Sequence, residues 1–239
     1  MQLTWLGHSG FRLQTDAAVV LIDPWFTGNP ALGDGTAEGT AAQAEAEAVA
    51  GVTHILLSHA HGDHAGDALR LSKDHDAPIV GMYDLMSHWA AREQVETIGF
   101  NKGGTVSLGD LSVTMVHATH SSSLAGPDGP LQAGAEAGYM LSAQGKTLYF
   151  AGDTDVMADM AVFEALHAPQ IGILPIGGHF TMDGARAAFA ARTYFNFSTL
   201  IPCHYKTFPF LAQDAAALKA GLPDPQIVRE MDVMETITL

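Results

Sequence analysis

The chain has 239 residues, enough for one large α/β domain or two small ones, and 47% of them are hydrophobic. Its net charge of −15, with histidine neutral, argues against broad contact with phosphate backbones, because nucleic-acid affinity rests on Lys and Arg. A single cysteine, Cys203, excludes an intramolecular disulfide and a Cys-based zinc site, and no apolar run approaches the roughly 20 residues that span a bilayer.

The first 23 residues read as short strands at 2–6, 10–14 and 18–22, closed by Asp23-Pro24. Residues 24–42 are rich in Gly, Pro, Ala and Thr and read as a loop; 41–50 reads as a short helix. The run 53–58 is continuously apolar, as in a strand buried on both faces. Helical spacing follows at 65–73, then a strand at 78–81 and a helix at 83–94. A second group of strands begins with 105–108 and 111–117 around the Gly109-Asp110 turn. A Gly-, Pro- and Ser-rich loop covers 121–137. Strands at 139–143 and 147–151 flank Gln144-Gly145. A helix near 157–166, a strand at 171–175, a helix at 183–191, a strand at 199–202, a helix near 213–220 and a strand near 226–228 follow. Each half is strand-rich first and alternates helix with strand later. This predicts a single α/β domain over 1–239: two mixed sheets packed together, with helices outside.

The chemistry concentrates in one short run. His59, His61, Asp63 and His64 lie within six residues, directly after the apolar strand. Imidazole nitrogen and carboxylate oxygen are ligands that zinc, manganese and iron accept. Residues i and i+2 of extended backbone point to one side, so His59 and His61 can reach one ion. Gly62 allows a tight turn, and Asp63 and His64 then face a second ion near a helix start. Twelve histidines against eleven Lys plus Arg also favour metal chemistry over polyanion binding.

The remaining ligands are expected just past other strands, where α/β folds place their sites. His120 follows strand 111–117, Asp153 follows 147–151 and His204 follows 199–202. His179 ends a loop after 171–175. His117 competes with His120, but it shares a strand face with Val113 and Met115 and reads as a core or supporting residue. His8 and Asp23 sit at strand ends; they read either as structural groups or as partners orienting metal-bound imidazoles. Asp67 reads as a cap or a support of the ligand loop, and Ser121 to Ser123 read either as hydrogen-bonding partners of the groups around the ligands or as a simple turn. Cys203 reads as a packing residue.

His-Ala-His-Gly-Asp-His, a distant His, Gly-Asp-Thr and a late His together resemble the metallo-β-lactamase superfamily. Trp-Leu-Gly-His-Ser-Gly-Phe, Ile-Asp-Pro, Gly-Gly-His-Phe-Thr-Met-Asp and Ile-Pro-Cys-His-Tyr narrow the likeness. They resemble a microbial family of metal-dependent hydrolases similar to the L-ascorbate-6-phosphate lactonase branch. The resemblance implies an αββα four-layer sandwich. It implies that His59, His61 and His120 hold one metal, that Asp63, His64 and His204 hold the other, and that Asp153 bridges them. His61 stands where oxygen-reducing di-iron members of the superfamily typically carry Glu, which favours hydrolysis.

The expected activity is hydrolysis of a small ester, lactone or phosphodiester by a metal-bridging hydroxide. Asp63 is the expected orienting group and His179 the expected proton donor to the leaving group. The expected cofactors are two divalent ions, zinc first, with manganese, iron and nickel also compatible. A small-molecule substrate, a cytoplasmic location, no nucleic-acid or membrane partner and, by resemblance, a homo-oligomer complete the expectation. The alternative is a metal-binding regulatory or sensory protein with little hydrolysis.

Overall fold

The computed structural model describes residues 1–33 and 40–239; positions 34–39 of the expected 24–42 loop lie outside this description. The first half contains β1 (Gln2–Gly7), β2 (Gly10–Gln14), β3 (Val19–Ile22), α1 (Thr40–Ala48), β4 (His54–Leu56), α2 (Gly62–Ala65), α3 (Ala68–His75), β5 (Ile79–Met82), α4 (Tyr83–Arg92) and β6 (Thr97–Phe100). The second contains β7 (Thr105–Leu108), β8 (Leu111–His117), β9 (Ser123–Gly126), β10 (Gly129–Gln132), β11 (Ala137–Ala143), β12 (Lys146–Phe150), α5 (Met160–His167), β13 (Ile171–Pro175), α6 (Gly184–Tyr194), β14 (Thr199–Cys203), α7 (Ala216–Ala220) and β15 (Thr236–Thr238).

Two mixed sheets result, in the orders β15-β1-β2-β3-β4-β5-β6 and β14-β13-β12-β11-β8-β7. Each is antiparallel where strands follow one another by turns. Each becomes parallel where a helix intervenes: β3 to β6 in one, β12 to β14 in the other. Alternation explains the layering. Val20, Ile22, Leu56 and Val80 face the apolar layer shared with Val113, Tyr139 and Phe150 of the second sheet. Leu21, Ile55, Leu57 and Ile79 point the other way, onto Ala68, Leu71, Met86 and Trp89 of the helices. Strands buried on both faces lose their polar alternation, which is why 53–58 reads as one apolar run. Fully burying each such side chain contributes roughly 1.5–3 kcal/mol.

Four expectations need correction. The 121–137 loop contains the hairpin β9–β10, whose second strand is wholly exposed and carries no apolar alternation to read. Strand β6 is a short edge containing Gly99, and was not expected. Residues 226–228 mostly form a 3₁₀ turn, Pro225–Ile227, with one bridge from Val228 to Leu200; the last strand is β15, paired with β1. His117 is exposed rather than core or supporting. Burial stops alternating at the end of β8: Met115 and Val116 are both buried, and His117, the last residue of the strand, is exposed and meets Asp159 at 3.0 Å.

Candidate metal centre

The expected ligand residues converge at one end of the two sheets. They follow β4, β8, β12 and β14, strands that run the same way within their sheets. His59, His61 and His120 bring one ring nitrogen each within 4.8 Å of one another, and so do His64, His204, Asp63 and His8 with one ligand atom each. Asp153 lies between the groups: its Oδ2 is 3.4 Å from His64 Nε2, 3.6 Å from His120 Nε2 and 3.1 Å from His204 Nε2. Asp63 Oδ2 stands 3.9 Å from His64 Nε2 and 3.7 Å from His204 Nε2.

The local backbone is shaped for this convergence. Gly152 holds φ +62, and a Cβ there would lie 2.6 Å from Ala137 O, so only glycine delivers Asp153 to this place. His8, Asp23 and His204 adopt positive φ of 51°, 44° and 54° without being glycine. Such strain persists where surrounding structure over-determines it, and it clusters at functional sites. His204 N donates to His8 O at 3.0 Å, and Ala137 N donates to Ser58 O at 2.9 Å, so the two sheets are tied at the site.

Hydrogen bonds fix which ring nitrogens face inward. Asp23 accepts from Ser58 N at 2.7 Å, from Ser58 Oγ, and from His64 Nδ1 at 2.8 Å. With its hydroxyl proton given to Asp23, Ser58 Oγ accepts from His59 Nδ1 at 2.9 Å. Both imidazoles are therefore protonated at Nδ1, and their Nε2 lone pairs point into the centre. His59 Nε2 then faces His61 Nδ1 at 2.9 Å. His8 Nε2 donates to Asp63 Oδ2 at 3.1 Å, its Nδ1 meets Thr207 Oγ1 at 2.8 Å, and its ring lies 4.0 Å from that of His204. Held between Thr207 on one side and Asp63 on the other, His8 is placed to orient the Asp63 carboxylate.

Of the eight buried side-chain atoms without a hydrogen-bond partner among the described residues, His64 Nε2, Asp153 Oδ1 and both ring nitrogens of His204 lie in this cluster. Orphaned polar atoms are costly inside a protein, and divalent cations satisfy nitrogen and carboxylate donors of this kind. The residues present fit a metal centre. Asp63 is 30% exposed and His120 15%, so the cluster opens to solvent on that side.

Burial holds His59, His61 and His120 below the ordinary imidazole value, in the neutral form that ligation requires. Burial also lowers His8, to about 4, outweighing its bond to Asp63. Burial pulls the same way on His64 and His204, but with no cation present Asp153 and Asp63 overcome it and raise both, His204 to about 9; a bound cation would take the place of that extra Nε2 proton. Burial alone would raise the two carboxyls; His64 and His204 instead hold Asp63 and Asp153 well below the usual range.

A family model described as a beta-lactamase superfamily domain matches residues 19–205. Over its full 239 residues the chain is 60% identical to a UPF0173 metal-dependent hydrolase of Dinoroseobacter shibae and 56% identical to one of Paracoccus denitrificans, with both relatives covered completely. The chain belongs to the metallo-β-lactamase superfamily. Among solved structures, the metallo hydrolase Igni18 of Ignicoccus hospitalis superposes with a TM-score of 0.80 at 32% identity, covering 99% of this chain and 97% of that one.

Other expected residues find their places on this metallo-β-lactamase fold. Asp67 accepts from Phe26 N, Thr27 N and Thr27 Oγ1 at 2.6–2.8 Å and so anchors the loop after β3. Ser122 Oγ accepts from Ala60 N at 3.2 Å and supports the ligand loop. Cys203 is a free, buried thiol. His179 is exposed, against Phe180 and Phe210, and borders a cavity shared with Thr119 and Thr154, the chain neighbours of His120 and Asp153. Sequence reasoning missed Trp25, Thr207 and Phe208, which surround His8, and Phe210, which stacks on Phe208. Their nearness to Asp23 and His204 along the chain was the available signal. No helix among the described residues is long and apolar enough to cross a membrane.

Proposed function

We propose that the protein is a two-metal hydrolase acting on small, uncharged esters or lactones. His59, His61 and His120 would hold one ion and Asp63, His64 and His204 the other, with Asp153 shared. The observation that carries this reading is His59 Nε2 facing His61 Nδ1 at 2.9 Å, with the proton of His59 committed to Ser58 on its far side. Two ring nitrogens aimed at one point beside orphaned His64 Nε2 and His204 Nε2 make a cation-shaped arrangement. Its exposed side favours catalysis over a structural role, since structural sites are closed.

Two bound divalent ions would lower the pKa of water towards about 7 and polarise the attacked oxygen. The chain's own residues do the rest. Asp63, held by His8, keeps a second carboxylate oxygen for orienting the nucleophile. Asp23 and Ser58 keep His64 and His59 in the ligating tautomer. His179, at the mouth, protonates the leaving group. A phosphorylated lactone would need a cation near the mouth. Arg186 is closed on Asp155, with Nε 2.8 Å from Oδ1, and Lys206 reaches Glu230 at 3.8 Å. An uncharged substrate suits such loops better.

The test is metal analysis with a panel of chromogenic esters, lactones and phosphodiesters. Two ions per chain, with turnover lost in Asp153→Ala and His59→Ala, are expected. Undiminished turnover in either variant rules out the two-metal reading.

A further inference from the structure

Aromatic rings lead away from the centre in an unbroken series. Trp25 stands edge-on to His8 at 5.3 Å and stacks on Phe208 at 6.0 Å. Phe208 and Phe210 stack at 5.4 Å with planes 4° apart. Phe210 meets His179 at 5.0 Å and Phe180 at 5.8 Å. Phe210 and Phe180 are 55% and 53% exposed. Single exposed apolar side chains need no explanation, but a contiguous series marks a binding surface.

The rings are held rather than merely exposed. Ala212 N donates to Gly177 O at 3.1 Å, tying the loop of Phe208 and Phe210 to that of Phe180. Gln213 Nε2 donates to Phe208 O and Leu211 O, each at 2.8 Å. Trp25 Nε1 donates to Thr27 O at 2.7 Å, and Thr27 is fixed by Asp67. A Cβ on Gly177 would lie 2.3 Å from His204 O, so the Phe180 loop is pressed against a ligand loop. At its outer end, His179 and Phe180 border a cavity of about 300 Å³ whose other walls are polar: Thr119, Thr154, Thr181 and the paired Asp155 and Arg186. That volume is at the small end of ligand sites and suits a single ring. A partner protein lying across the series would close the mouth of the centre, so a small molecule is the better occupant.

We propose that Trp25, Phe208, Phe210 and Phe180 seat a flat, uncharged aryl group of the substrate, and so set specificity for aryl-bearing esters or lactones. This rests on the hydrolase reading above. Stacking on preformed rings costs little ordering and is worth more than contact area alone.

The test compares 2-phenylethyl acetate with propyl acetate, whose alcohols leave with similar ease, on the metal-loaded enzyme. Wild type is expected to favour the aryl ester by about tenfold in kcat/KM. Phe210→Ala and Phe180→Ala, both at exposed positions, should lower that ratio to near one while metal content stays the same. A ratio that survives both truncations overturns the proposal. So does a ratio that survives while sedimentation shows Phe210→Ala splitting an oligomer, which would make the rings an interface between copies. If wild type cleaves neither ester, the hydrolase reading fails for this class, and the seat is judged by binding of 2-phenylethanol. Quenching of Trp25 fluorescence, read against Trp25→Phe and lost in Phe210→Ala, supports the seat; no quenching in wild type overturns it.

Discussion

His64 Nδ1 lies 2.8 Å from Asp23 Oδ2, and neither side chain has any exposure. The same carboxylate receives the Ser58 hydroxyl, whose oxygen receives His59 Nδ1. One buried acid thus sets the tautomer of a histidine in each proposed metal set. In Asp23→Asn the amide would present hydrogens to His64 Nδ1, pushing that proton to Nε2. Asn tolerates the positive φ of this position, so the backbone is spared. Metal affinity should fall about 10–100-fold, as for other partners of metal-bound histidines. Chelator competition measures it, and wild-type affinity in the variant would remove the tautomer argument.

Removing metal should destabilise the protein. Without a cation, His64 Nε2, Asp153 Oδ1 and His204 Nε2 are buried without a hydrogen-bond partner. Adding zinc or manganese back at about 100 times its dissociation constant should restore about 2.7 kcal/mol. Thermal unfolding across a metal titration reads this directly. Asp153→Ala, which lacks the shared carboxylate, should respond far less.

Asp67→Asn tests the anchor of the Trp25 loop away from the ligands. Burial would raise the Asp67 carboxyl, but Thr27, Arg70 and the Phe26 amide hold it below its ordinary value of 3.8. A depressed folded-state pKa adds stability that is present above 3.8 and disappears as pH falls through the folded value. Asp67→Asn should therefore cost about 1–3 kcal/mol at pH 7. The gap to wild type should hold down to about pH 5 and close in more acidic solution, as read by urea denaturation. A gap unchanged at about pH 3 would mean that Asp67 acts through shape and not through charge.

Gly152→Ala should be severe for one methyl group. The new Cβ meets Ala137 O at 2.6 Å and Ser58 Cβ at 3.0 Å on a backbone of positive φ. A loss of roughly 1–3 kcal/mol is expected from the conformation alone. Because Asp153 follows directly, metal occupancy should fall with it. Urea unfolding and metal analysis on one sample check both effects, and a Gly152→Ala variant with full metal content would contradict the close approach between these two backbones.

The candidate ligand residues were legible because they sit just beyond apolar strands, where chain spacing and chemistry agree. The i, i+2 geometry and the Gly62 turn suggested that His61 and His64 face different points, and the two lie in different clusters of candidate ligands. What escaped the sequence depends on contacts between distant segments. The aromatic series joins residues 25, 180, 208 and 210, and no local pattern links them. Strand β15 became visible only through its pairing with β1, as three residues with one partly buried side chain carry almost no periodicity. His117 was misread because it ends β8, where pairing continues but no other segment covers the side chain, which chain spacing cannot reveal.

The ties between the sheets bear on how the molecule comes apart. His204 N to His8 O, Ala137 N to Ser58 O and Tyr139 Oη to Leu57 O, the last at 2.6 Å, join segments far apart in sequence. Such long-range closures carry a high entropic cost and form late in folding. Groups that assemble after the rate-limiting barrier leave the folding rate almost untouched and act on the reverse step. An ion held between these edges would therefore behave as a clasp: it would lengthen the lifetime of the native state without hastening its formation.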